Sequence, residues 1–191
     1  VLNVMIGDLL SLSRLEAEME HMDFEKADLG SILESVVEDA NFEARPMKRE
    51  VKLDYPDDLG PLKLYSELVR GAVENIVRNG LRYAPEGTSV TVMAQHLDRD
   101  GRPGVSISVL DRGPGVPEAE LGEIFKPFYR TEASRSRDTG GTGLGLAIAR
   151  RAALAHGGDI QAVLPPGGGL LVEMWLPVHP QDRGGPPPLQ Q

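Results

Sequence analysis

The chain has 191 residues, 40% of them apolar, which suffices for one good core with some length left over for an appendage. Its 29 acidic against 20 basic residues give a formal charge of -9, which argues against a nucleic-acid surface and a polybasic membrane patch, so a phosphate ligand would need local positive groups or a divalent cation. With no cysteine there is no disulfide and no thiolate metal site, which fits a reducing cytoplasm, and no run of about 18 apolar residues is available to span a bilayer.

The chain opens on an apolar helix pattern with neither a start Met nor a signal peptide, and so reads as a fragment of something longer. From Val1 to Met22, Leu2, Met5, Leu9, Leu12, Leu15, Met19 and Met22 recur at steps of three and four, the stripe of an amphipathic helix that packs on other helices. This stretch is too short for a domain and reads as the end of a helical hairpin or dimer stem. Met22 to Asp28 reads as a short polar connection, with Asp28 placed to N-cap a helix striped by Leu29, Ile32, Leu33, Val36, Val37 and Ala40 and limited by Pro46. Val51, Leu53 and Tyr55 alternate in a strand pattern over Glu50–Tyr55, before a turn-rich Pro56–Pro61.

Leu64 to Ala84 reads as the central helix, with Val69, Val73, Ile76, Val77 and Gly80 on one side and Asn75, Asn79 and Arg82 on another. A merely solvated helix would carry Glu and Lys there, because Asn is a poor helix former that competes for the backbone, so that face reads as functional. Ser89–Leu97 and Val105–Leu110 read as a hairpin across DRDGRPG. Asp111 then opens DRGPGV, either as a structural cap of the turn or as a ligand-facing acid. A short helix near Glu118–Ile124 and the aromatics Phe125, Phe128 and Tyr129 follow. The polar run from Arg130 to Gly141 cannot pack a core and reads as a mobile loop, whose arginines serve either phosphate binding or solubility.

Gly141, Gly143 and Gly145 alternate just before a helix over Leu144–Ala155. Glycines at the start of a helix leave peptide N–H groups open to an anion, although the same pattern also suits a flexible turn capping an ordinary helix. No GxxxxGK[ST] occurs, and no strand immediately precedes the glycines, so neither a Walker loop nor a dinucleotide fingerprint is present. Strands over Gly158–Leu164 and Leu170–Leu176 form a second hairpin across PPGGG, and the proline- and glycine-rich tail from Pro180 to Gln191 reads as disordered.

ENIVRNGLRYAP, DRGPGV, FKPFYR and GGTGLGLAI, in this order and at these intervals, resemble the N, first glycine, F and second glycine boxes of the sensor histidine kinase ATP-binding domain, most closely the Cpx-type envelope-stress kinases. The resemblance covers about Asp28 to Pro177. It implies an α+β Bergerat fold, a two-layer sandwich with a mixed, mostly antiparallel sheet, and a division into a stem helix and linker (1–27), a catalytic ATP-binding domain (28–179) and a tail (180–191). It further implies a two-component protein-histidine kinase that moves the γ-phosphoryl of Mg-ATP to a stem-domain histidine, for relay to a response-regulator aspartate.

Position by position, the resemblance makes Asn79 and Asn75 Mg²⁺ ligands, an amide oxygen being a hard donor that adds no charge. Arg82 and Tyr83 match the pair that contacts phosphate and the sugar or base, with Asn75 and Arg82 also counted as catalytic. Asp111 would accept a hydrogen bond from the adenine amine and reject guanine, with Gly113 and Gly115 bringing the turn against the purine. Gly141, Thr142, Gly143, Leu144 and Gly145 would meet the triphosphate. Glu74 matches a region where related ATPases activate water, and is either a polar catalytic group or a solvated helix position. Phe125, Phe128 and Tyr129 would hinge and pack the lid, and His156 would close the glycine helix structurally.

None of His21, His96, His156 or His179 lies in the family's phosphoacceptor motif, so the acceptor is expected upstream, on the stem. The implied partners are that stem domain, a cognate response regulator and a second copy of the full-length protein, with no nucleic acid. The implied setting is the cytoplasmic face of the bacterial inner membrane. Other readings are an anti-sigma serine kinase, an ATP-gated ATPase of the gyrase, mismatch-repair or chaperone kind, and a regulatory domain that only senses nucleotide.

Overall fold

The structure is a computed structural model and describes residues 24–131 and 141–179. The expected stem helix, the arginines of the lid loop at 135 and 137, and the tail from Pro180 lie outside the described residues.

The described chain runs β1 (Glu25–Asp28), α1 (Leu29–Ala44), β2 (Glu50–Asp54), β3 (Pro61–Leu64), α2 (Ser66–Tyr83), β4 (Ser89–His96), β5 (Gly104–Leu110), α3 (Gly145–Ala155), β6 (Asp159–Val163) and β7 (Leu171–Pro177). Five strands form one sheet in the order β2-β4-β5-β7-β6. Only β2 and β4 pair in parallel, so the sheet is mixed and mostly antiparallel as expected.

Period-two alternation sets the inner face of that sheet. Val90, Val92 and Ala94 of β4, Val105, Ile107 and Val109 of β5, and Val172, Met174 and Leu176 of β7 are all buried. Against them α2 lays Val69, Ala72, Val73, Ile76, Val77 and Leu81, the stripe that its sequence spacing dictates. A residue such as Ile76, 1% exposed, contributes about 1.5–3 kcal/mol by this burial. Gly80 brings α2 onto β4, since a Cβ there would stand 3.2 Å from Val90 Cγ1. Because that face is committed to the core, the opposite flank of α2 is left to present polar groups.

Asp28 N-caps α1 as its sequence position implies: the Ser31 N–H and hydroxyl donate to its carboxylate at 3.4 and 2.9 Å. At the other end of α1, the Asn41 amide donates to Val51 O and accepts from Val51 N, at 2.9 and 2.8 Å, which occupies backbone groups on the sheet's edge strand.

Two stretches differ from their sequence reading. Glu25–Asp28, expected as a polar connection, is β1 and pairs antiparallel with β3, which begins at the last residue of the expected turn and takes Leu64 from the start of the expected helix. Four-residue strands of charged and proline-containing sequence carry no alternation for a pattern to report. The short helix expected near Glu118–Ile124 is instead two 3₁₀ turns, Glu118–Glu120 and Glu123–Phe125, interrupted at Gly122.

Candidate functional site

A cleft opens between the polar flank of α2, the turn after β5, the two described ends of the lid and the start of α3. Its open space, mouth included, is about 1240 Å³. It gathers Asn75, Asn79, Arg82, Tyr83 and Asp111 from the sequence-derived set, together with Gly115, Gly141, Thr142, Gly143 and Gly145. Glu74, Gly113 and Leu144 do not line it.

Along α2 the polar residues recur at steps of four and three, about 6 and 4.5 Å of rise apart. Asn75 Nδ2 donates to the Gly71 carbonyl one turn back at 2.9 Å, which turns its Oδ1 outward. The first residue of α3 comes close to that amide: a Cβ at Gly145 would lie 3.1 Å from Asn75 Oδ1. Asn79 and Arg82 have no hydrogen-bond or ionic partner among the described residues. Arg82 is half-buried, and its guanidinium lies so near Gly141 that a side chain at 141 would run into it. A half-buried cation without a counter-charge marks a place for an anion.

Asp111, 4% exposed, follows the last residue of β5. Its Oδ1 accepts the Gly113 N–H at 2.7 Å and the Leu170 N–H at 3.2 Å, leaving Oδ2 without a protein partner among the described residues. Burial pushes the Asp111 carboxyl above its ordinary range, and the N–H groups of Gly113 and Leu170 pull against that rise. Around it Val116, Ile124, Leu146 and Leu170 supply apolar wall. One open carboxylate oxygen in apolar surroundings suits a flat heterocycle that presents an N–H donor.

Gly143 joins the two described ends of the lid. Its φ is 76°, its carbonyl accepts the Phe128 N–H at 2.9 Å, and a Cβ there would press to 2.8 Å from the Phe128 carbonyl carbon. Thr142 Oγ1 accepts the Leu144 N–H at 3.3 Å, so Thr142 combines a place on the cleft with a bond that starts α3. Leu144 is fully buried and packs with Ile148 and Leu68 between α3 and α2. Gly113 acts one layer back, through its N–H to Asp111.

Glu74 points elsewhere: its Oε1 lies 2.9 Å from Arg70 Nε, and Arg70 also reaches Asp39 of α1 at 2.7 Å. Phe125 is buried in the core, and Phe128 is half-exposed. Tyr129 does more than pack, because it lines the cleft while its hydroxyl donates to Glu120 at 2.7 Å.

Sequence reasoning passed over Arg78 and Leu170, which also line the cleft. Arg78 stands one helical turn from both Asn75 and Arg82, a spacing that would have found it. Leu170 gave no local signal; it reaches Asp111 only because β5 and β7 pair in register, Leu110 opposite Leu171.

Among the described residues no three His, Asp or Glu side chains converge as a metal cage. A hard cation here would take amide oxygen from Asn75 and Asn79 and its other ligands from phosphate and water, and Mg²⁺ prefers oxygen donors and keeps several of its waters. The donor set fits that ion.

A family model described as histidine kinase-, DNA gyrase B- and HSP90-like ATPase matches residues 65–180. The chain is 38% identical over 178 residues to the sensor histidine kinase CpxA of Escherichia coli strain K12, an alignment that covers 93% of this chain and 37% of that protein. It is 33% identical over 177 residues to the sensor histidine kinase WalK of Bacillus subtilis strain 168, covering 91% of this chain and 28% of that one. The chain thus spans less than half the length of the curated relatives it matches. Among solved structures, full-length ShkA in complex with AMPPNP superimposes with a TM-score of 0.77 at 26% identity, over 92% of this chain and 35% of that one. The nucleotide-free catalytic domain of the histidine kinase ThkA gives 0.73 at 23% identity, over 85% and 100%, a likeness of fold. The chain belongs to the family of histidine kinase-, DNA gyrase B- and HSP90-like ATPases.

Proposed function

We propose that this chain is the catalytic ATP-binding domain of a two-component sensor histidine kinase, presenting the γ-phosphoryl of Mg-ATP to a histidine on a stem domain. The observation that carries the proposal is the pairing, in one cleft, of a carboxylate held by two backbone N–H groups with two amides and a guanidinium on α2.

Asp111 Oδ2 accepts the adenine exocyclic N–H. Guanine would set a carbonyl oxygen against the carboxylate with no proton between them, so the same contact selects the base. Arg82 lies against the phosphates, where a guanidinium can fork two oxygens. Asn75 and Asn79 hold the metal, and Mg²⁺, when bound, neutralises phosphate charge and polarises the γ-phosphoryl. Tyr83 and the turn at Gly115 bound the base and sugar, and Gly141, Thr142, Gly143 and Gly145 bring backbone close to the triphosphate. Catalysis is then positioning and charge neutralisation. Leu144 and Gly113 support the site from behind it. Glu74, engaged by Arg70, is structural, which disfavours a hydrolytic ATPase needing a water-activating acid in the cleft.

Among the described residues no histidine lines the cleft. His156 is 1% exposed with both ring nitrogens in hydrogen bonds, and His96 lies at the far end of β4 beside Asp58. The acceptor therefore comes from the stem, the phosphoryl passes on to a response-regulator aspartate, and the full-length protein works as a dimer at the inner membrane. No described helix is long and apolar enough to cross a membrane. Incubation with γ-labelled ATP and Mg²⁺ tests this directly: the chain alone stays unlabelled, and an added stem domain bearing the upstream histidine acquires a label that acid removes. Stable labelling of a histidine within the chain would refute it.

A further inference from the structure

We infer that His156 is a positioning residue for the triphosphate: it fixes the register of α3 on α2, and Phe24 bears on it from the chain that enters the domain. The inference rests on the nucleotide reading above, because α2 and α3 are the helices that reading assigns to metal and phosphate.

His156 ends α3, where its backbone N–H closes on the Ala152 and Ala153 carbonyls. The ring is 1% exposed. Tyr65 N–H, at the start of α2, donates to Nε2 at 3.1 Å, so Nε2 carries no proton and Nδ1 donates to the Ala152 carbonyl at 2.7 Å. One ring thus ties the end of α3 to the beginning of α2.

At the other end of α3, Gly145 lies close against Asn75, near enough that a Cβ there would stand 3.1 Å from its Oδ1. The antiparallel helices therefore meet at two points roughly 16 Å apart, a hydrogen-bonded pin at His156 and a close approach at Gly145. Between these points Ile148 packs on Leu68, together with Leu144 just ahead of Gly145. Because the core between them is close-packed, releasing the distal pin lets α3 slide or tilt as a rigid rod, and the shift reaches Gly145 and the Asn75 amide. A displacement of about 1 Å at a reacting group suffices to matter. Asp111 is held separately, by Gly113 and Leu170. The structure therefore separates control of the phosphate end from control of the base end.

Phe24 supplies the input. Its ring stands edge-on to His156, centroids 5.2 Å apart and planes at 87°. It immediately precedes β1, whose pairing with β3 leads through Tyr65 into α2. A pull or twist on the entering chain therefore falls on the same imidazole.

Two polar isosteres separate this role from mere packing. Gln at 156 can place an acceptor where Nε2 sits and keep the Tyr65 bond, whereas Asn can replace only Nδ1 and loses it. In isothermal titration of the 191-residue chain, His156→Asn is expected to weaken Mg-ATP about tenfold with adenosine affinity unchanged, and His156→Gln to stay within about threefold of wild type. Equal losses for Mg-ATP and adenosine, or identical behaviour of the Asn and Gln variants, would overturn the inference. Should either His156 variant fail to fold by thermal melt, Phe24→Ala decides: selective loss of Mg-ATP affinity supports the role, and unchanged or parallel affinities refute it. Wild-type chain that binds neither ligand would instead refute the nucleotide reading itself.

Discussion

Asp111→Asn is the sharpest test of the site, because the change swaps one atom. Oδ1 of the Asp111 carboxylate already accepts the Gly113 and Leu170 N–H groups, and an Asn side chain keeps that oxygen acceptor in place. What changes is Oδ2, the open acceptor, which becomes an NH₂ donor facing the donor of adenine. A hydrogen bond to a charged partner contributes about 1.5–3 kcal/mol. At about 1.4 kcal/mol per decade, Mg-ATP affinity should therefore fall roughly 10- to 150-fold by isothermal titration. Inosine triphosphate, which turns a carbonyl toward the new NH₂, should lose far less or gain.

Stability moves the other way. Burial raises the folded-state pKa of Asp111 above 3.8, so its stabilising contribution is complete below that value and is lost as pH climbs through the folded pKa. Ionised Asp111 at pH 7 is thus a net cost to the fold, and the neutral Asn variant should melt no lower than wild type. Wild-type ATP affinity should decline on acidification already above the ordinary carboxylate midpoint, a limb that the Asn variant lacks. Unchanged ATP affinity in the variant, or a fall in affinity matched by a fall in melting temperature, would remove the base assignment.

Asn79→Ala should abolish the strengthening of triphosphate binding by Mg²⁺ while leaving adenosine affinity intact; if metal still helps equally, the amides do not hold it. Arg82→Ala should weaken ATP more than AMP, and the loss should shrink as ionic strength rises, measured by titration in increasing salt. Gly169→Ala should cost at least about 1 kcal/mol of stability, because a Cβ at φ 89° would run into the Asp111 carbonyl, and ATP affinity should drop with it; chemical denaturation and titration of one preparation measure both.

The faces of single elements were legible in the sequence, and relations between distant elements were not. Asn75, Asn79 and Arg82 announced a shared flank because helical spacing is local and the apolar stripe of α2 claims the other side. Asp111 announced itself through the turn residues that follow it. Nothing local marks Leu170 as the residue that holds Asp111, since they are 59 positions apart and meet through backbone atoms that every residue possesses. The same holds for β1 and β3: their bonds need only extended chain, so charged EKAD serves as well as a hydrophobic strand would. His156 was readable as the close of a helix from HGG, but its bond to Tyr65 joins residues 91 apart and depends on how two helices lie together.

That division has a consequence for how the site works. Asn75, Asn79, Arg82 and Asp111, picked out by residue type, line the cleft, where the proposed function constrains residue type. Groups that hold them in place act through backbone N–H and C=O, where geometry is constrained and residue type hardly is. On the proposed reading Asp111 must be a carboxylate, yet the groups gripping it are the N–H of a glycine and of a leucine. Exchanging Leu170 for another apolar residue should therefore leave ATP binding nearly intact, whereas removing its N–H with Leu170→Pro should release Oδ1 and break the Asp111 clip. If the conservative exchange were as damaging as the proline, side-chain packing rather than the peptide N–H would be fixing the carboxylate.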